Sequence, residues 1–299
     1  MNYLVFDVGG TAIKYALMDS DCNFLHKSKM DTPAESFTEF ETAIRSIYET
    51  YEHEISGVSF SLPGIIDTEK GITVTGGSLT YNNQREFVSS LAKWMKHPIS
   101  IENDAKCALL AEADQGSLRD CNHALMIVLG TGIGGGILVD RKVYKGSRFA
   151  AGEFSFVLRD HHHQAGQPFH YWGFDGSVRG LCHAVAVAKQ CQKSTVNGEL
   201  IFQWISENDE TVTQIFEQYT YELAMQCYSL QAMFDPEKIA IGGGISANQL
   251  LIESIQRHIK TLQTTLPITI GIPTVVRAAF MNDANLIGAL MHHFRHFTI

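Results

Sequence analysis

The stretch YLVFDVGGTAIKYALMD, residues 3–19, decides the fold of this chain. Its first six residues form a largely apolar run that is typical of a buried strand. The segment IKYALMD then alternates apolar and polar side chains, as a second strand does. Because two glycines separate these segments, the stretch predicts a β-hairpin with a tight turn. Asp7 ends the first strand, Thr11 lies in the turn and Lys14 follows it.

A similar pattern recurs from about residue 122. ALMIVLG, GILVD and KVYKG predict three strands in succession, and the glycine-rich turn GTGIGGG spans residues 130–136. Hairpin strands followed by helices, once in each half, predict a pseudo-duplicated α/β architecture. The polar stretch DQGSLRDCNH between the halves suggests a boundary there. We expect domains at residues 1–118 and 119–283, with a helix at 284–299 packing back on the first.

Composition and charge limit which partners the protein can bind and in which compartment it is expected. The net charge is -9, and the 23 basic residues are scattered, so the chain would repel a nucleic-acid backbone. No apolar run approaches the roughly 20 residues that span a bilayer, and the first ten residues do not resemble a secretory leader. The six cysteines show no C-x-x-C spacing. We therefore expect a cytoplasmic protein with no nucleic-acid or membrane partner.

Glycine-rich turns allow backbone N–H groups to approach a phosphate closely. Residues 130–135 match G-x-G-x-x-G, but a strand rather than a helix is predicted after them, so the dinucleotide fold is excluded. No G-x-x-x-x-G-K-[ST] sequence occurs, which excludes a P-loop. The first turn could place Asp7 near magnesium, with Thr11 and Lys14 near a phosphoryl group. The alternative is an ordinary hairpin with an exposed lysine.

Two further segments combine strands with polar or glycine-rich ends. IENDAKCALLAE, residues 101–112, puts Asp104 at a strand-to-helix junction, where a carboxylate can accept the proton of an attacking hydroxyl. Asn103 can orient that hydroxyl, although either residue could simply cap the helix. IAIGGGIS, residues 239–246, offers a glycine surface for an adenine or ribose, or is only a loop.

Taken together, these motifs resemble the ROK family of repressors, open reading frames and sugar kinases. The resemblance runs from Tyr3 to about Leu290. DVGGTAIK is similar to the family's first phosphate motif, LGTGIGGGI to the second and IGGGIS to the adenosine motif. LPGIID, IENDA and AGEF resemble its sugar-side elements. The resemblance implies an actin-like ATPase (ribonuclease H-like) fold with two α/β domains around a cleft.

The same resemblance implies an ATP-dependent sugar kinase that uses Mg²⁺. Asp104 would be the general base, and Asp7 would be the carboxylate on the magnesium side. The expected substrate-binding residues are Gly64, Asn82, Asn103, Asp104 and Glu153. The expected ATP-binding residues are Asp7, Gly9, Gly10, Thr11, Lys14, Thr131, Gly132, Gly243 and Gly244.

The chain departs from the family pattern after Glu153. Many members carry a zinc-binding His and three Cys there, followed by a sugar-binding Glu. The aligned positions here are Phe156, His170, Trp172, Ser177 and Arg179. One ligand in four cannot complete a tetrahedral site, so we expect no structural zinc. Phe156 and Trp172 are expected to fill the space, Arg179 to lie on the substrate side, and His161–His163 to be a solvated loop.

The zinc-less pattern is similar to that of β-glucoside kinases. It predicts phosphorylation at O6 of the non-reducing glucose in a disaccharide such as cellobiose. An N-acetylmannosamine or simple hexose (glucokinase-like) kinase is the alternative. A repressor is disfavoured because only six residues precede Asp7, and a non-catalytic sugar sensor is a weaker alternative. The resemblance also implies a homodimer.

Overall fold

The hairpin predicted for residues 3–19 forms in the computed structural model, which describes residues 1–159, 169–265 and 271–298. It belongs to a five-stranded sheet in which the first three strands are antiparallel and the last two run parallel to the first. A separate two-stranded antiparallel ribbon, formed by residues 66–67 and 72–73, lies in the chain between the last two strands of this sheet. The strands are β1 (Asn2–Val8), β2 (Ala12–Asp19), β3 (Phe24–Asp31), β4 (Ile55–Leu62), β5 (Ile66–Asp67), β6 (Ile72–Thr73) and β7 (Ile99–Asn103).

The second half of the chain forms another five-stranded sheet. Its strands are β8 (Ala124–Leu129), β9 (Ile133–Val139), β10 (Lys142–Val143), β11 (Lys238–Gly242) and β12 (Val275–Arg277). The order β10-β9-β8-β11-β12 repeats the order β3-β2-β1-β4-β7 of the first sheet, with the same strand directions. This repeat confirms the predicted pseudo-duplication. Because the turn at residues 130–136 leads into β9 and not into a helix, the dinucleotide fold is excluded by the structure as well.

Side-chain contacts mark the ends of two helices. Ser36 caps the first helix by accepting a hydrogen bond from Glu39 N–H at 3.3 Å. The helix that begins at Phe87 ends at Leu91, beyond which Trp94 donates its indole N–H to Glu41 Oε1 at 2.6 Å. The helices are α1 (Phe37–Tyr51), α2 (Phe87–Leu91), α3 (Asp104–Asp114), α4 (Trp172–Asp175), α5 (Val178–Ala188), α6 (Gly198–Ser206), α7 (Glu210–Phe234), α8 (Gln249–Thr265) and α9 (Ala284–Phe297).

The chain divides into two compact units. The first contains residues 1–114, residues 145–151 and the chain from Asp283 on, and the second contains residues 115–144 and 152–282. The sequence boundaries assigned residues 145–151 to the second domain, but they belong to the first unit. A contact between distant parts of the chain explains this difference, because Lys145 forms an ion pair with Glu102 of β7 at 2.7 Å. Within the residues described, no helix is both long and apolar enough to cross a bilayer.

The last helix, α9, packs against α3 in the first unit. A Cβ at Gly288 of α9 would lie only 1.7 Å from the carbonyl oxygen of Cys107 in α3, so only glycine permits this approach. Residues 105–113 of α3 are all buried. The helix that begins at the predicted base is therefore enclosed by α9 and fixed at its start.

Two buried histidines in α9 should make the stability of the first unit depend on pH. Burial lowers the pKa of His292 and of His293 to about 4. An unfolded histidine titrates near 6.5, so the unfolded state binds more protons between about pH 6.5 and 4. We expect the free energy of unfolding to fall as the pH is lowered through this window, by on the order of 3 kcal/mol for each histidine.

Urea unfolding across this pH range measures the effect. Replacing His292 with glutamine should flatten the pH dependence, whereas replacing the exposed His53 should leave it unchanged. Equal pH profiles for the wild type and the His292→Gln variant would contradict this prediction.

Candidate active site

The first glycine turn places Asp7 and Lys14 side by side. They lie opposite each other in the β1–β2 pair, with Lys14 Nζ 3.4 Å from Asp7 Oδ2. The other carboxylate oxygen, Oδ1, accepts hydrogen bonds from Ser61 Oγ and Asn285 Nδ2, each at 2.9 Å. Asp7 is 6% exposed. A buried carboxylate with several donors stays ordered, and its hard oxygen atoms suit Mg²⁺ bound through water.

The turn itself is closed and tightly packed. Gly9 N–H donates to Ala12 O at 3.0 Å, and Thr32 Oγ donates to Gly9 O at 2.6 Å. A Cβ at Gly10 would lie 2.6 Å from Ser78 Oγ. Gly10 and Thr11 are exposed, so backbone N–H groups of the turn can be reached by an anion.

The β7–α3 junction holds Asn103 and Asp104 in one hydrogen-bonded arrangement. Asn103 Oδ1 accepts from Lys106 N–H at 3.1 Å, which caps α3. Asn103 Nδ2 donates to Asp104 Oδ1 at 3.0 Å and to Gly64 O at 2.9 Å. Asp104 Oδ1 also accepts from Ala105 N–H at 2.8 Å. Asn103 therefore caps the helix and also holds Asp104, while its role in orienting a hydroxyl stays a prediction.

Gly64 and Asn82 support this junction in different ways. Gly64 has φ +95°, and a Cβ there would lie 2.1 Å from Thr75 O, so the position requires glycine. Its carbonyl holds Asn103. Asn82 was expected to contact the substrate, but its side chain is buried beside Gly76 and is 1% exposed. Asn82 ends the short 3-10 turn of residues 80–82, and its contact with a substrate stays a prediction.

In the second unit, Glu153 lies at the start of the 3-10 turn Phe154–Phe156 and is half-buried. This turn packs on the second glycine-rich segment. A Cβ at Gly135 would lie 2.2 Å from Phe154 Cδ2. Ser155 Oγ accepts from Ile133 N–H at 3.2 Å and donates to Ile133 O at 2.7 Å. The glycines of β9 therefore fix the position of Glu153.

The two other glycine motifs meet at a cavity of about 1000 Å³ in the second unit. Gly243 has φ +92°, and a Cβ there would lie 2.0 Å from Leu129 O, so the turn packs against β8. Gly244 has open space where a Cβ would point. The wall combines backbone and apolar groups with two basic side chains. The lining residues include Gly130, Thr131, Val178, Arg179, Lys193, Val196, Phe202, Gly244 and Ile245.

Arg179 was expected on the substrate side, and that role stays a prediction. It lines the same cavity as Thr131 and Gly244. It belongs to the first turn of α5, and its neighbour Val178 donates N–H to Gly130 O at 3.1 Å. This bond ties the start of α5 to the second glycine turn. Arg179 therefore lies with the predicted nucleotide-side residues.

The region aligned with the zinc cluster is filled partly as predicted. Trp172 is buried, at 1% exposure, and packs against Phe154 with ring centroids 6.1 Å apart. Phe156 does not fill the space, because it is 65% exposed. His170 is paired with Asp175 at 3.0 Å. Among the residues described, no group of three His, Cys, Asp or Glu side chains could hold a metal ion. The run His161–His163 lies outside the described residues.

Comparisons with known proteins agree with these motifs. A β-glucoside kinase from Klebsiella pneumoniae is 30% identical over 292 residues, which cover 98% of this chain and 96% of that protein. An N-acetyl-D-glucosamine kinase from Vibrio atlanticus is 26% identical, with 96% of this chain and 98% of that protein covered. The structure of Lmo2764 from Listeria monocytogenes, for which an N-acetylmannosamine kinase activity has been suggested, has a TM-score of 0.89 at 25% identity, with 99% and 100% coverage.

The structural likeness extends over the whole described chain, and the fold is that of the actin-like ATPases. A sequence profile described as "ROK family" matches residues 3–293. Because this match includes all three glycine motifs and the β7–α3 junction, the chain belongs to the ROK family.

Proposed function

We propose that this protein is an ATP-dependent kinase that phosphorylates a sugar hydroxyl, with a β-glucoside such as cellobiose as the acceptor. The observation that carries the proposal is the Asp104 carboxylate, held at the β7–α3 junction by Asn103 Nδ2 and by its own helix. A carboxylate fixed in this way is suited to accept a proton from a hydroxyl. The relatives named as sugar kinases support this assignment.

In the proposed reaction, the proton of the sugar hydroxyl moves to Asp104. The hydroxyl oxygen forms a bond to the γ-phosphorus of ATP, and the bond from that phosphorus to the bridging oxygen of ADP breaks. Transfer of this kind depends mainly on positioning and on neutralising charge. Lys14 would supply positive charge beside the transferred group. Asp7 would hold Mg²⁺ through water, and the ion would neutralise charge on the phosphates.

We assign the cavity of the second unit to the nucleotide. Its volume of about 1000 Å³ is sufficient for a ligand of that size. The exposed turn at Thr131 and Gly132 would bind phosphate oxygens through backbone N–H groups. Gly244 would leave room for the adenosine, while Arg179 and Lys193 would contribute positive charge. Glu153, on the adjacent 3-10 turn, would accept hydrogen bonds from sugar hydroxyls.

A glycoside acceptor is supported by the exposed aromatic rings near Glu153. Phe156 follows Glu153 by three residues and is 65% exposed. Its ring packs edge-on against Tyr171, which contacts Phe174 in turn, with centroids 6.2 and 6.3 Å apart. An exposed aromatic surface can bury the apolar face of a second sugar ring. A single hexose would have no ring to place there.

The proposal is tested by measuring ADP release from Mg-ATP with cellobiose, glucose, N-acetylmannosamine and N-acetylglucosamine. We expect the highest kcat/KM with cellobiose. A higher value with an N-acetyl sugar would favour the alternative that the Vibrio atlanticus relative suggests. The absence of sugar-dependent ADP release with every acceptor would overturn the kinase assignment and would favour a non-catalytic sensor.

The role of Phe156 can be tested separately. Replacing it with alanine should raise KM for cellobiose by roughly 3- to 10-fold, which corresponds to ~1 kcal/mol of lost aromatic contact, with little change for glucose. Met233, which is 69% exposed in the same unit, provides the control substitution. An unchanged KM for cellobiose in the Phe156→Ala variant would exclude Phe156 from the acceptor site.

Assembly into a homodimer stays a prediction from the family resemblance. Sedimentation equilibrium of the purified protein would measure it.

A further inference from the structure

Residues 145–151, which we call the crossing segment, connect parts of the chain that both belong to the second unit. The segment itself lies in the first unit. It closes as a loop, because Ala151 N–H donates to Lys145 O at 3.0 Å and Gly146 has φ +70°. Gly152 and Glu153 follow it directly. The crossing segment therefore requires specific contacts that hold it in the first unit.

Lys145 provides the first of these contacts. Its Nζ lies 2.7 Å from Glu102 Oε2 and donates to Thr68 Oγ at 2.6 Å. Glu102 is 1% exposed. A carboxylate buried this deeply is strongly destabilising without a cationic partner. The position of Glu102 therefore depends on Lys145.

Glu102 in turn contacts the residue that holds the predicted base. Its second oxygen, Oε1, accepts from Asn103 N–H at 2.8 Å. Asn103 Nδ2 then donates to Asp104 Oδ1 at 3.0 Å. A continuous series of contacts therefore connects Lys145, through Glu102 and Asn103, to Asp104.

Lys106 makes a second contact between the same two regions. It is 1% exposed, and its Nζ donates to Phe149 O in the crossing segment at 3.0 Å. Its backbone N–H is the group that Asn103 Oδ1 accepts. The crossing segment is therefore held to the β7–α3 junction at two points, by its own Lys145, which pairs with Glu102, and by Lys106, which donates to Phe149 O.

His292 also faces Glu102, with its Nδ1 3.7 Å from Oε2, and the Cys107 thiol and His296 interact electrostatically with the same carboxylate. Burial lowers the pKa of His292 to about 4, so it is neutral at pH 7. Among the described contacts of Glu102, Lys145 is therefore the cation that balances its charge.

We propose that Lys145 and Glu102 are positioning residues for Asp104, and that the crossing segment acts as a clamp on the β7–α3 junction. The proposal rests on the function assigned to Asp104 above. A misplacement of a reacting group by about 1 Å can lower a rate by roughly 100-fold. The pair therefore contributes to the rate although neither residue contacts the sugar.

The test compares Lys145→Met, Lys145→Arg and the double variant Glu102→Gln/Lys145→Met. Lys145→Met should lower kcat by roughly 10- to 100-fold with little change in KM for ATP. Lys145→Arg keeps the positive charge and should recover most of the activity. The double variant removes both buried charges and should restore thermal stability without restoring kcat. Recovery of wild-type kcat in the double variant would overturn the proposal, because the pair would then be only structural.

Amide hydrogen exchange gives a result that does not depend on activity. In the Lys145→Met variant, peptides covering residues 99–110 should exchange faster, because the acceptors of the Asn103, Ala105 and Lys106 N–H groups are no longer held in place. Peptides of the second unit should be unchanged. Wild-type exchange in residues 99–110 would overturn the clamp. If the wild-type protein turned over no sugar, the proposed function would fail, while the exchange result would still decide whether the clamp exists.

Discussion

Replacing Asp104 with asparagine is expected to lower kcat by roughly 10²- to 10⁴-fold, the usual contribution of a general base. The asparagine oxygen can still accept from Ala105 N–H and Asn103 Nδ2, so the junction should keep its geometry. An amide cannot take up the hydroxyl proton at neutral pH. Steady-state kinetics with cellobiose, together with calorimetric measurement of cellobiose binding, separates loss of chemistry from loss of binding.

Asp19 supplies a matched control for this substitution. Its Oδ1 also accepts two backbone hydrogen bonds, from Asp21 N–H and Asn23 N–H, each at 2.9 Å, and it lies in the same unit. Asp19→Asn should leave kcat within roughly twofold of the wild-type value, since surface-turn changes are usually small. Equal losses in Asp19→Asn and Asp104→Asn would show that Asp104 has only a structural role.

Replacing Asp7 with asparagine is the second change with a large expected effect. The asparagine oxygen can accept from Ser61 Oγ and Asn285 Nδ2, but the negative charge beside Lys14 is lost. We expect kcat to fall by roughly 100-fold and the Mg²⁺ concentration for half-maximal activity to rise, because the carboxylate binds the ion's water shell more strongly than an amide does. A Mg²⁺ titration at saturating ATP measures both effects.

Asp19 is the control for this prediction. Its carboxylate accepts from Asn23 in an exposed turn at the end of β2, distant in the chain from the glycine turn. Asp19→Asn should change the thermal midpoint slightly and the Mg²⁺ titration not at all. A wild-type Mg²⁺ requirement in Asp7→Asn would remove Asp7 from the magnesium side.

Local pattern was sufficient to predict several of the strands and turns that hold the candidate site residues. The alternation of residues 13–19 and the glycine pair predicted the β1–β2 hairpin. The absence of a helix after residues 130–136 was readable because β9 has its own strand pattern. These signals are local, since strand alternation and helix caps depend on near neighbours in the sequence.

Contacts between distant parts of the chain could not be predicted in this way. Asn285 donates a hydrogen bond to Asp7, which is 278 residues away in the sequence, and Lys145 pairs with Glu102, which is 43 residues away. Neither pair has a sequence spacing that indicates contact. A buried Lys or Glu is rare without a partner, so Lys106 and Glu102 could have been flagged only once their burial was known. The surroundings of Arg179 could not be predicted for the same reason, because they are set by α5 and by the residues that line the same cavity.

The sugar product formed from cellobiose and Mg-ATP tests the central claim most directly. Nuclear magnetic resonance of the purified product locates the phosphate on the disaccharide. We predict a phosphate ester at O6 of the non-reducing glucose with the wild-type protein, and almost none with Asp104→Asn under the same conditions. Unmodified cellobiose after incubation with the wild type, or the same product yield from the variant, would contradict the account.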